Sequence, residues 1–452
     1  MKLTFLGGVG TVTGSKYLLD TGSRKILVDC GLFQGYKELR LRNWSPLPFS
    51  ASEIDAVVLT HAHLDHSGYV PLLVRNGFRG KVFASAATLD LCKILLRDSG
   101  HLMEREAEFA NRHRYAKHKP ALPLYTERDA ESALESFSPC AFGRGYKLGT
   151  DLELRFYPAG HILGSSLVRL TSDDGSILFS GDLGRPHSAT MVDPSIVEQA
   201  DWLVVESTYG NRKHDEADPE DVLADVVSRT AARGGVVVVP AFAVGRAQSI
   251  LYHLQRLKSE GRIPNLPIFL DSPMAINASE VFCGHVNEHR LSELECRAMC
   301  EGAIYVRSAE DSKALDQTLM PMVLISASGM ATGGRVLHHL KHFAPDRRNA
   351  ILFTGFQASG TRGASLVGGA TQVKIHGQNI PIRAEVHNLH MLSAHADADE
   401  ILEWLGNFRE PPKTTFITHG EPTASSELRR RIETEMKWRC VVPAYEDVAE
   451  LL

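Results

Sequence analysis

No stretch of the 452-residue chain stays apolar long enough to span a bilayer. The longest mostly apolar run, residues 236–244, is broken by Pro240 and falls far short of the ~18 residues a membrane helix needs, so no membrane contact is expected. A C-x-x-C pair is also missing. The seven cysteines, Cys30, Cys92, Cys140, Cys283, Cys296, Cys300 and Cys440, are odd in number and scattered. They read as buried free thiols and argue against a disulfide frame or a zinc knuckle. The first ten residues lack the charged region and apolar core of a secretory signal, which points to the cytosol. An excess of positive charge is absent too: 49 Lys and Arg against 54 Asp and Glu leave −5. That is not the footprint of a simple nucleic-acid binder, so a site for a polyanion must be local. There is no low-complexity tract and no repeat of fixed period.

What remains is an ordinary globular composition, 43% hydrophobic and 23% charged, long enough for about three units of ~150 residues. Residues 1–209 alternate short apolar runs with turn residues. Runs at 2–6, 16–19, 25–29, 54–60, 152–157, 165–170, 177–179 and 202–208 have the length and β-branched content of strands, while 68–76, 87–98 and 101–114 carry apolar residues at helical spacing. From residue 210 the rhythm becomes strand, loop, helix. Strands are expected at 236–239, 268–270, 322–325 and 350–353, with helices at 245–257, 275–281 and 334–343 after three of them. Such alternation predicts a doubly wound, mostly parallel sheet, whose ligands gather at the carboxyl ends of its strands. Residues 386–452 return to histidine-containing strand ends around a helix at 399–407. The expected division is 1–209, an inserted domain at 210–385, and 386–452 completing the first domain.

Twenty histidines are many for this length, and several stand beside aspartates. The densest group is Thr60-His61-Ala62-His63-Leu64-Asp65-His66, directly after an apolar strand and before a helix. Four ligand-type side chains fall within six residues. On a partly extended loop His61 and His63 can point one way while Asp65 and His66 turn toward a neighbouring point, so the segment can serve two metals. Imidazole and carboxylate at that density suit zinc, and manganese or iron are allowed by ligand type. A solvated helix cap has no need of four such groups. His161 and Asp182 each follow a short strand in a glycine-flanked turn; either alone reads as a turn residue, but beside the first cluster both read as ligands.

Through Asp29 in 27–31, the His61 cluster, His161 and Asp182 the chain resembles the metallo-β-lactamase superfamily. Glu206 in Glu206-Ser207-Thr208-Tyr209-Gly210, His395 in 393–397 and His419 in 418–421 look like the three further motifs of the β-CASP nucleases, which include the pre-mRNA 3′-end cleavage nuclease and its bacterial and archaeal relatives. The resemblance implies an αββα sandwich with an inserted β-CASP domain built on a doubly wound, mostly parallel sheet. It implies two Zn2+, with Mn2+ as the alternative: His61, His63 and His161 on one metal, Asp65, His66 and His419 on the other, and Asp182 bridging. Asp29 would orient a ligand histidine from behind. Two such metals hold a hydroxide for in-line attack at phosphorus, His395 would protonate the leaving sugar oxygen, and Glu206 would keep His395 charged. In the family a histidine at the position of His419 goes with RNA rather than DNA. The expected activity is therefore hydrolysis of single-stranded RNA, with the site in a cleft between two domains. Relatives often dimerise, which puts a homodimer among the expected partners.

The inserted region adds its own reason. Between residues 321 and 383 seven Lys and Arg face one acid, Asp346, and the window holds nine of the 37 glycines. Glycine loops at strand ends offer backbone N–H groups to phosphate oxygens. The candidate RNA contacts are Arg246, Ser328, Gly333, Gly334, Arg335, Gln357, Gly360 and Arg362, with Phe356 placed to stack on a base. Endonuclease and 5′-exonuclease action both stay open. Rival readings are a DNA nuclease, a small-molecule ester hydrolase of the same superfamily, which the roughly 175-residue insertion disfavours, and a scaffolding subunit, which the full ligand set disfavours.

Overall fold

The computed structural model of the chain describes residues 1–113 and 118–452. They form two compact units. The first comprises Met1–Ser188, Val192–Lys213 and His395–Leu452, and the second Ala189–Met191 and His214–Ala394.

The first unit is built on two seven-stranded sheets. One runs Val448–Glu450, Lys2–Gly7, Lys16–Asp20, Lys25–Val28, Ala56–Val58, Lys81–Ser85, Phe137–Cys140; the other runs Cys440–Val441, Thr414–Ile417, Trp202–Val205, Gly175–Phe179, Ser166–Ser172, Glu153–Pro158, Gly145–Lys147. Leu3, Phe5, Val28 and Val58 of the first sheet share a core with Phe156, Val168, Ile177, Phe179, Trp202 and Val204 of the second. Residues of opposite parity, Leu167, Leu178, Leu203 and Val205, pack with Ile401, Trp404, Leu405 and Leu428 of the helices Ala398–Leu405 and Pro422–Arg431. Apolar side chains at both parities are what a sheet covered on both faces requires. Helix Ala86–His113 packs against Lys81–Ser85 and Phe137–Cys140 on the outer side of the first sheet, which gives the αββα order of layers.

Several boundaries differ from the periodicity. Helices expected at 87–98 and 101–114 are one helix, Ala86–His113; residue 114 lies outside the described residues. Gly100, which interrupts the pattern, is a close-packing point, because a Cβ there would stand 2.7 Å from the backbone of Thr126 and Glu127. The strands expected at 54–60 and 202–208 stop at Val58 and Val205, since the residues beyond them leave the ladder to form loops. Lys81–Ser85 and Phe137–Cys140 escape the pattern because the first is short and half polar and the second contains Pro139.

The second unit carries a six-stranded sheet in the order Ile304–Tyr305, Ile268–Leu270, Met322–Ser326, Val236–Pro240, Ala350–Phe353, Glu385–Asn388, with every pair parallel. From Val236–Pro240 the chain goes to Ile268–Leu270 and the edge strand Ile304–Tyr305, returns to Met322–Ser326 beside the first strand, and then crosses to Ala350–Phe353 and Glu385–Asn388 on the other side, a doubly wound order. Helices Arg246–Ser259, Pro273–Gly284 and Val336–Phe343 stand where helical spacing places them.

Candidate metal centre

Five chain segments deliver side chains to one point of the first unit, each just past the carboxyl end of a strand; one of them brings His161 from the end of Glu153–Pro158. His61 follows Ala56–Val58, Asp182 follows Gly175–Phe179, Glu206 follows Trp202–Val205 and His419 follows Thr414–Ile417. The last three strands are parallel neighbours, so their ends lie side by side.

The donors form two main sets that Asp182 faces, and Glu206 joins Asp182 and His419 in a third grouping at the same distance. In the first, the ligand atoms of His61, His63, His161 and Asp182 all lie within 4.8 Å of one another. His63 Nδ1 stands 3.1 Å from His61 Nε2 and 3.3 Å from His161 Nε2, and Asp182 Oδ2 lies 3.4 and 3.5 Å from His61 and His161 Nε2. The second set is Asp65, His66 and His419. Here the two Nε2 atoms are 3.2 Å apart, Asp65 Oδ2 is 3.8 Å from His66 and 3.6 Å from His419, and the other oxygen of Asp182, Oδ1, is 3.3 Å from His66 Nε2. One carboxylate thus turns one oxygen to each set. Tetrahedral zinc with bonds of about 2.0–2.1 Å separates its nitrogen donors by roughly 3.3 Å, so the convergence fits a cation in each set.

The protonation balance supports the same fit. Burial and the neighbouring His66 hold His61 well below the ordinary imidazole range, and burial lowers His63; neutral imidazole is the form that coordinates. Burial opposes ionisation of Asp182, but His419, His66 and His61 outweigh it and hold the carboxyl well below its usual range. Burial also acts against a charged His66, yet Asp182 and Asp29 raise it well above an ordinary histidine. A cation would replace that proton.

Asp29 sits behind this site in a left-handed conformation, φ 58°. Its Oδ2 takes His66 Nδ1 at 2.7 Å, and its carboxylate also accepts the Thr60 N–H and hydroxyl at 2.8 and 2.9 Å. The histidine it orients is therefore His66, whose Nε2 is left to face the donors. Thr208 Oγ1 is 3.1 Å from His419 Nδ1. Beside the first set, His395 Nδ1 is 3.1 Å from both oxygens of Glu206, and its Nε2 is 4.0 Å from Asp182 Oδ2. Burial lowers His395, but the Glu206 charge and hydrogen bond more than offset it and leave the ring above its usual value. Glu206 is itself fixed by the N–H groups of Leu183 and Thr208 at 2.6 and 3.2 Å.

Two supports escaped the sequence. Lys16 is buried; its ammonium donates to the Gly31 carbonyl and lies 4.7 Å from the rings of Phe33 and Tyr69, and burial pulls it down to about 8. Nothing in the local pattern separates it from a solvated lysine at a strand start. Gly31 touches the backbone of the short helix Leu64–Ser67, where an added Cβ would stand 1.6 Å from the Asp65 carbonyl oxygen. Gly31→Ala is expected to cost about 3 kcal/mol, because rigid backbone must move. The urea midpoint would fall and metal retention weaken; an unchanged midpoint would mean the two loops are not packed this way.

The second unit holds the residues assigned to RNA. Ser328 bonds Thr332 at 3.0 Å, Gln357 Nε2 donates to the Gly329 carbonyl at 3.1 Å, and Gly334 and Gly360 adopt φ of 75° and 81°. Gly333 borders open space, and Arg246 opens the helix Arg246–Ser259 close to Gly355. Phe356 is half-buried. Arg335 and Arg362, assigned to RNA from sequence, direct their guanidinium groups into the unit. Arg335 reaches Asp271 at 2.6 Å and the carbonyls of Val306 and Arg307, and Arg362 bonds the carbonyls of Lys374 and Ala331. That geometry makes both of them braces of the glycine loops.

Asp271 also anchors a buried network that sequence reasoning missed. His339 Nε2 is 2.6 Å from Asp271 Oδ2 and its Nδ1 2.7 Å from Asp316 Oδ1, while the Ser312 hydroxyl donates to Asp271. Burial disfavours a charged His339, but the two carboxylates outweigh it and raise the ring above its ordinary value. A raised histidine stabilises the fold below its unfolded pKa of ~6.5, and that stabilisation is lost as pH rises through the folded value. The melting difference between the wild type and His339→Gln is thus expected to shrink from pH 6 toward pH 9, by about 2–4 °C per kcal/mol lost. A difference that does not change with pH would refute the charged network.

The chain has relatives among known proteins. Residues 9–78 match the metallo-beta-lactamase superfamily, 247–366 the Beta-Casp domain, and 379–443 the Zn-dependent metallo-hydrolase RNA specificity domain. The chain is 39% identical over 430 residues to ribonuclease TTHA0252 of Thermus thermophilus, covering 93% of each. It is 29% identical to the transcription termination factor FttA of Methanocaldococcus jannaschii, covering 98% of this chain and 70% of that one, and 29% identical to an RNase J-like protein of the same organism, covering 98% and 97%. A solved structure of a protein of unknown function from Enterococcus faecalis shares the fold, with a TM-score of 0.55 at 12% identity over 99% of both chains.

Proposed function

Since the chain belongs to the β-CASP family of the metallo-β-lactamase superfamily, we propose that it is a metal-dependent ribonuclease. It hydrolyses phosphodiester bonds of single-stranded RNA, with two zinc ions and an endonucleolytic mode. The observation that carries this reading is Asp182, whose two oxygens face two separate donor sets. Five imidazoles and two carboxylates make a donor set suited to zinc. When bound there, divalent cations supply a nucleophilic water at neutral pH and neutralise the charge that grows at phosphorus.

The chain's own residues do the rest. Asp29 fixes His66 by its Nδ1, so that Nε2 alone remains for coordination. His395 offers Nε2–H as the general acid for the leaving 3′ or 5′ oxygen, and Glu206 both orients the ring through Nδ1 and stabilises its charge. In the second unit the glycine loops at 326–334 and 355–363 present backbone N–H groups to phosphates, with Arg246 and Phe356 adding charge and a stacking face.

The test uses the zinc-loaded protein, RNA labelled at its 5′ end and a matched DNA strand. Internal fragments from RNA alone, abolished by a chelator and restored by zinc, are the expected result. Immediate release of labelled mononucleotide would replace the endonuclease by a 5′-exonuclease, and restoration by manganese alone would replace the metal. Intact RNA with hydrolysis of a generic ester would overturn the ribonuclease reading.

A further inference from the structure

Three of the seven cysteines meet in the second unit, on the helices Pro273–Gly284 and Glu293–Glu301. Cys283 Sγ lies 3.5 Å from Cys300 Sγ and 3.7 Å from the Cys296 carbonyl. Cys296 Sγ stands 3.8 Å from His289 Nε2 and is buried, whereas Cys283 and Cys300 are partly exposed. Among the described residues, the donor sets close enough to share an ion do not include these cysteines. Redox chemistry fits the spacing better than coordination does.

Disulfide sulfurs lie about 2.05 Å apart, roughly 1.5 Å closer than these two thiols. Both cysteines occupy the last turn of their helix, and small side-chain rotations close a gap of that size. We propose that Cys283 and Cys300 are a modification site at which a peroxide forms a reversible disulfide. The pair is polarised for this: the Cys283 thiol beside it holds Cys300 below the usual thiol range, while Cys283 is pushed up. Cys300 thiolate attacks a peroxide oxygen, the O–O bond breaks and hydroxide leaves, giving a sulfenic acid. The Cys283 sulfur then attacks the Cys300 sulfur, the S–O bond breaks, and the Cys283 proton leaves with that oxygen as water. Two thiols lose two electrons in total, and the peroxide gains them.

The bridge would close a 17-residue span. Within that span Arg290 donates its N–H to the Thr190 carbonyl and its Nε to the Met191 carbonyl, at 2.9 and 2.8 Å. Oxidation is therefore expected to slow proteolysis between residues 284 and 292.

The test treats the full, natively folded chain with hydrogen peroxide near stoichiometry, blocks free thiols, and maps the digest by mass spectrometry. A linked Cys283–Cys300 peptide pair that has lost two hydrogens and is split by dithiothreitol is the expected product. Cys296→Ser should form the same bridge. Cys283→Ser should send Cys300 on to the sulfinic acid, with no bridge. If Cys283 and Cys300 are both alkylated after peroxide, or if either is linked to Cys296, the proposal is wrong. Wild-type cleavage between 284 and 292 that is no slower after oxidation would remove the structural consequence.

Discussion

Asp182→Asn is expected to lower RNA cleavage by at least about 10³-fold and to strip tightly held metal from the protein. Asparagine keeps the size and leaves one acceptor oxygen, so either donor set could retain a partner in shape. It cannot offer an anionic oxygen to both sets, and its NH2 group points donors at a cation. Asp182 is buried and its two oxygens divide between His61 with His161 and His66 with His419; of the neighbouring carboxylates, Asp65 belongs to the second set alone and Glu206 is engaged by His395, Leu183 and Thr208. Losing the shared ligand removes the charge stabilisation on which a two-metal displacement depends. Metal content after dialysis and single-turnover cleavage give the two readouts. Full metal content together with a loss of less than tenfold would show that Asp182 does not join the two sets.

A second large effect is expected at a residue outside the two main donor sets. His395→Gln should reduce kcat by about 10²–10⁴-fold, the range of a positioned proton donor, with KM and metal content near the wild-type values. Glu206→Gln should lose part of the same activity, because the neutral amide no longer favours the charged ring. The two are distinguishable by pH. A histidine raised by Glu206 carries its proton up to a higher pH, so wild-type activity falls as pH rises through that value. Glu206→Gln should move this alkaline limb toward lower pH, and His395→Gln should remove its imidazole component. An unmoved limb in Glu206→Gln would refute the coupling, and a His395→Gln protein that keeps its kcat would dismiss the general acid.

The site was more legible than its surroundings for a physical reason. His61, His63, Asp65 and His66 lie within six consecutive residues, so their chemistry shows at short range, and the motifs of His161, Asp182 and His419 stand at strand ends that apolar periodicity marks. The strands beside them were legible wherever they are β-branched and apolar. They were missed where the chain is short and half polar, as in Lys81–Ser85, or carries a proline, as in Phe137–Cys140. The gap between the helical stretches at 87–98 and 101–114 closes in the structure, and Gly100 within it is the point where helix and loop backbones touch.

The sequence by itself determined the inventory of ligand side chains, the alternation that makes a parallel, doubly wound sheet, and the family that both resemble. Only the tertiary structure decided the pairings. It gave Asp29 to His66 and no other histidine, divided the oxygens of Asp182 between two sets, and brought Glu206 to His395 across 189 residues of chain. It turned Arg335 and Arg362 inward onto backbone carbonyls, buried Lys16 between two rings, and brought the thiols of Cys283 and Cys300 together. Periodicity reports which face of an element is apolar, and it is a local property. Which side chains meet depends on the order of strands in the sheets and on the loops their ends extend, and those are fixed only when distant segments pack together.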